Sequence, residues 1–163
     1  MSEITENTQN SAQINLDAIM EKYDTESRFR TLDGWQAKLI SILAVAMSLF
    51  HLYTSGFGLL LAQKQGAVHL AFTLALVFLL YPSDNTGKTR HKIPLVDFAL
   101  AIIAATSAMY LVVFFDQLVT RSGLPTTLDL TMGFILIATL LEATRRISNP
   151  VLPGIAIVAL LYC

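Results

Sequence analysis

Apolar residues gather in five runs along this chain: Leu39 to Ala62, Ala67 to Tyr81, Leu95 to Phe115, Leu128 to Leu141 and Val151 to Cys163. A bilayer core about 30 Å thick takes roughly 20 helical residues at about 1.5 Å each. The first and third runs reach that length alone, and the second and fourth reach it with their flanks. The fifth does not, since fourteen residues remain from Pro150 onward. The pattern predicts an all-α integral membrane protein. Four transmembrane helices form a bundle over residues 35–148, and residues 149–163 make the start of a truncated fifth helix.

The polar stretches between the runs carry helix signals. Trp35 is placed as an interfacial anchor at the mouth of the first helix, beside Lys38. Pro82 and Pro94 bound a turn-forming loop, and Pro94 suits the first turn of the third helix. Thr126, with Asp129 three residues later, forms a capping-box pattern for the fourth, and Asn149 before Pro150 opens the fifth run. Ahead of the spans, residues 1–14 are rich in Glu, Ser, Thr, Asn and Gln and read as a disordered tail. In residues 15–34, Leu16, Ile19, Met20 and Tyr23 recur at helical spacing and predict a short amphipathic helix followed by a linker. Its polar side is acidic, which favours packing on protein over a lipid anchor.

Charge orients the spans. With the N-terminus in the cytoplasm, the inner segments hold Arg28, Arg30, Lys38, Lys88, Arg90, Lys92, Arg145 and Arg146, and the outer loops hold Lys64 and Arg121. Eight basic residues against two across short loops is a positive-inside distribution. Hydrophobic residues make up 54% of the 163-residue chain and charged residues only 14%, against about a quarter in soluble proteins. No basic cluster interleaved with aromatics points to nucleic acid. The one cysteine, Cys163, excludes disulfide frameworks and dithiol redox relays within the chain.

Candidate chemistry is sparse. An ionisable residue deep in a membrane helix marks a functional hypothesis, because it costs at least about 2.5–3.5 kcal/mol unless paired or hydrated. His51 is the one such residue between Leu39 and Leu61, and His69 is its nearest potential partner. Counted from a first helix ending at Leu61, His51 lies roughly 15 Å below the helix end and His69 roughly 5 Å into the next. That mismatch argues against a shared haem iron and for ordinary interhelical hydrogen bonds. Asp97 falls in the first turn of the third helix, where the macrodipole favours an anion, and capping is the role expected of both Asp97 and Asp129. Glu142 is followed at i+3 and i+4 by Arg145 and Arg146, so both guanidinium groups share its face. Because the third helix starts where the fourth ends, Asp97, Glu142, Arg145 and Arg146 are expected to form a structural charge cluster at the cytoplasmic rim, with Arg145 opposite Asp97. Ala101 and Ala105, and Ala104 and Ala108, give the third helix close-packing ridges that fit either the bundle interior or a docking face. No catalytic or nucleotide-binding motif occurs, so no catalytic, substrate-binding or metal-ligating residue is assigned and an enzyme is not expected.

Read together, SLFHLYTSGFG, GAVHLAF, FLLYP, IPLVDFALA, RSGLPTTLDLTMG, LLEATRR and LPGIAI resemble the opening of fused permeases of tripartite ATP-independent periplasmic (TRAP) transporters, of the type served by TAXI-class binding proteins. The likeness spans about Arg28 to Cys163. It implies a four-helix scaffold in a bacterial or archaeal cytoplasmic membrane. The implied partners are the bilayer, a large transport domain of the same permease and an extracytoplasmic binding protein. It further implies import of organic acids or related solutes on a sodium gradient, with the substrate and sodium sites in the large domain and no cofactor on these residues. Two other readings stay open: a haem- or quinone-binding membrane anchor of a redox enzyme, and a stand-alone small membrane interaction protein.

Overall fold

A computed structural model describes residues 29–58, 60–83, 92–148 and 151–162. The tail over 1–14, the apolar stripe Leu16 to Tyr23, Lys88, Arg90, Asn149, Pro150 and Cys163 lie outside the described residues. Among the described residues there are six helices and no strand. They are α1 (Trp35–Gly56), α2 (Ala62–Leu80), α3 (Leu95–Val113), α4 (Phe115–Thr120), α5 (Thr127–Ile147) and α6 (Val151–Tyr162). Four of them, α1, α2, α3 and α5, are long and apolar enough to cross a membrane. The 12-residue α6 is apolar but shorter than a span.

Two boundaries differ from the apolar runs. The first run extends to Ala62, yet α1 starts at Trp35 and stops at Gly56. The amide of Phe57 closes α1 on Tyr53 O at 2.9 Å, and Leu60 and Leu61 belong to the connection although they are apolar. Glycine is a poor helix former, and apolarity alone does not keep a helix going. The third run divides at Phe114, whose φ of −99° and ψ of 13° lie in the bridge region between α3 and the short α4. At the start of α1, Gly34 takes φ 72°, a positive φ that glycine adopts readily, where the preceding segment turns into the helix.

Successive long helices run in alternating directions, as their cross-contacts show. The segment before α1 meets the end of α2, and His51 late in α1 meets His69 early in α2. Asp97 at the start of α3 meets Arg146 at the end of α5, and Tyr110 late in α3 meets Asp129 early in α5. The apolar core lies between α2, α3 and α5 and is made by Leu74, Val77, Phe78, Leu79, Ala101, Ala104 and Ala143, with Leu39, Ile40 and Leu43 of α1 packed against it. Ala101, Ala104 and Ala108 are buried in this interior, so that side of α3 serves helix packing. α2 is the most enclosed span, whereas α1 presents Ile42, Val45, Leu49 and Leu52 outward.

Candidate functional site

Asp97 sits in the first turn of α3, where its amide closes on Pro94 O at 3.1 Å. Its side chain does not cap the helix. It is 2% exposed and lies between two guanidinium groups, Arg30 on one side and Arg146, at 2.9 Å, on the other. Arg30 lies in the segment before α1, and its Nη1 donates to Phe78 O at 3.2 Å and Leu79 O at 3.1 Å. Its amide donates to Leu80 O at 3.0 Å, so one residue covers three terminal carbonyls of α2 while neutralising Asp97.

Arg146 reaches the same point from the last turn of α5. Its Nε donates to Glu142 at 2.9 Å and its Nη1 to Tyr81 O at 3.2 Å, while its guanidinium carbon stands 4.9 Å from the centre of the Phe78 ring. Glu142 also accepts from Arg145 Nε and Nη2 at 2.7 and 2.8 Å, a bidentate fork. Arg145 is turned outward, to Ser83 Oγ at 3.3 Å. The four expected residues are thus brought together, but the arginine on Asp97 is Arg146, not Arg145. Adjacent helical positions point about 100° apart, and Arg146 continues the buried stripe of Thr139 and Ala143. That spacing was a usable signal for choosing between the two arginines.

Arg30 was missed as a member of the site. In the sequence it is one more basic residue near the inner end, without periodicity to place it. Phe29 beside it stacks obliquely on Tyr81, ring centres 4.8 Å apart, and burial pushes the Tyr81 phenol above its ordinary pKa. The cluster therefore joins the segment before α1 to the ends of α2, α3 and α5.

The opposite end of the bundle has its own carboxylate. Thr126 and Asp129 make a reciprocal capping box, Asp129 N to Thr126 Oγ1 at 3.3 Å and Thr126 N to Asp129 Oδ2 at 2.8 Å. The remaining Asp129 oxygen accepts from the Tyr110 hydroxyl at 2.5 Å and lies 3.5 Å from Arg121. Lys64 in the first turn of α2 reaches Asp116 at 3.4 Å and stands over the Phe115 ring. Trp35, the first residue of α1, is 67% exposed.

The structure overturns the depth mismatch assigned to the two histidines. His51 Nε2 lies 2.9 Å from His69 Nδ1, with the rings edge to face at 61°. Because α1 ends at Gly56 and not at Leu61, His51 is five residues, about 7.5 Å, from its helix end, and His69 is seven residues, about 10.5 Å, from the start of α2. In direct hydrogen bond, the two rings leave no space for a haem between them.

The other buried hydroxyls fold back on their own helices: Thr54 onto His51 O, Ser107 onto Ala104 O, and Thr139 onto Ile135 O. Among the described residues, no buried side-chain nitrogen or oxygen lacks a partner, and no three His, Cys, Asp or Glu side chains gather as metal ligands. No family model, curated protein or solved structure matches the chain.

Proposed function

We propose that this chain is the scaffold domain of a sodium-driven TRAP-type permease, a fixed four-helix platform beside which a larger domain carries organic acids or related solutes delivered by an extracytoplasmic binding protein. The observation that carries this reading is that, among the described residues, every buried side-chain nitrogen and oxygen has a partner. Asp97, Arg30, Arg146 and Glu142 neutralise one another, and the buried hydroxyls are spent on their own helices. A carrier or channel needs polar groups free to take its cargo. A scaffold needs ends that do not move relative to one another. A four-element ion cluster at one end and a capped, tyrosine-bridged carboxylate at the other supply that. The distribution of Lys and Arg supports a cytoplasmic Asp97 end, and the sequence resemblance supplies the class of partner.

Reconstitution tests it. Proteoliposomes holding the chain alone should show no solute uptake. Those that also hold the large transport domain, with binding protein added outside, should take up a labelled organic acid when a sodium gradient is imposed. Sodium-coupled uptake by these 163 residues alone, or its full persistence in the large domain without them, would overturn the scaffold role.

A further inference from the structure

We propose that His51 and His69 form a binding site for one zinc-class divalent cation, which clasps α1 to α2 with water completing its coordination. The two imidazoles come from different helices and face each other nitrogen to nitrogen at 2.9 Å. Their protonation follows from the surrounding bonds. The Thr73 hydroxyl donates to His69 O at 2.9 Å, which leaves its oxygen to accept from His69 Nε2 at 3.4 Å. With its proton on Nε2, His69 presents a lone pair at Nδ1, and His51 Nε2–H donates to it.

This is the arrangement a metal-binding imidazole uses: one nitrogen toward the ion, the other held by an oxygen that fixes the ring and its tautomer. A cation would replace the shared hydrogen, and the proton of neutral His51 would move to Nδ1, so no net proton need be released. Two nitrogens about 2.05 Å from a tetrahedral ion stand roughly 3.3 Å apart, whereas a linear two-coordinate ion needs about 4.1 Å. The first calls for a separation only slightly wider than 2.9 Å and so favours zinc over a linear monovalent ion. The lightly packed α1 can yield that distance, since it is the least enclosed of the four spans. His69 is exposed at the surface of the bundle. The charged group nearest along α2, Lys64, is offset by Asp116 at 3.4 Å. Thr54, Phe50 and Phe72 around the pair are uncharged.

The test is calorimetric titration of zinc chloride into the full chain, purified in detergent with a tag free of histidine. One zinc per chain is expected, with no heat from magnesium. His51→Ala and His69→Ala should each abolish the site, and Thr73→Val should weaken it roughly tenfold. His91→Ala and Cys163→Ser should leave it unchanged. Zinc X-ray absorption on the unaltered chain gives a readout that needs no variant, and two imidazole nitrogens are expected. Absence of a zinc site, its survival in both histidine variants, its loss in His91→Ala, or an absorption spectrum with fewer than two imidazoles would each overturn the proposal.

Discussion

The two ends of the bundle solve the same problem with different burial. At each, one carboxylate ties α3 to α5: Asp97 to Arg146 at one end, Asp129 to Tyr110 at the other. At the Asp97 end both guanidinium groups are almost fully enclosed, at 0% and 2% exposure, and the backbone carbonyls around them are consumed as well. At the Asp129 end the arginine is 36% exposed, and the carboxylate's other bonds stay within the first turn of its own helix. A buried charge that loses its counter-ion cannot turn to water, whereas an exposed one can. The Asp97 cluster should therefore govern assembly of the bundle, and the Asp129 end should adjust it.

The comparison is broken most directly at Asp97. Asp97→Ala leaves Arg30 and Arg146 facing each other without a carboxylate between them, and should cost about 3–5 kcal/mol, the scale for stripping one partner from a buried pair. Thermal unfolding in detergent and the monodisperse fraction on gel filtration would measure it. Exchange of charge, Asp97→Arg with Arg146→Asp, should recover part of the loss, while the same exchange with Arg145→Asp should recover none; equal rescue by both would refute the assigned geometry. A smaller effect is expected at the other end. Thr126→Ala removes one half of the capping box and should cost about 1 kcal/mol, seen as a modest drop in melting temperature at unchanged yield. If Thr126→Ala destabilised the protein as much as Asp97→Ala, the ranking of the two ends would be wrong. The smallest change belongs to Lys64→Ala. Its partner Asp116 is 84% exposed and their separation is 3.4 Å, so the loss should be at most about 0.5 kcal/mol and should vanish in high salt.

Much of this architecture was legible because its causes are local. Four spans follow from run length, and the capping box follows from Thr126 and Asp129 being three residues apart. The meeting of Asp97 with the end of α5 follows from alternating helix direction alone. What was misplaced turned on a boundary or a face. Apolar residues past Gly56 hid the end of α1 and put the histidines at different depths. Arg145 and Arg146 are neighbours in sequence, but only one lies on the inward side. Arg30 had no local signal, since its role depends on carbonyls 48 and 49 residues away.

Hydropathy shows most plainly where sequence stops and tertiary structure begins. α3 is the most apolar of the four spans, yet α2 is the most buried and α1 the least. In a bilayer an apolar side chain gains little by leaving lipid for protein, so apolarity sets how many helices span but not which one is central. Close approach of small residues, with charges that need partners, makes that choice. The sequence by itself determined the number of spans, the Thr126–Asp129 capping box and the supply of charge. Only the tertiary structure decided that α2 lies inside, that Arg30 and Arg146 share Asp97, and that two histidines from different helices meet.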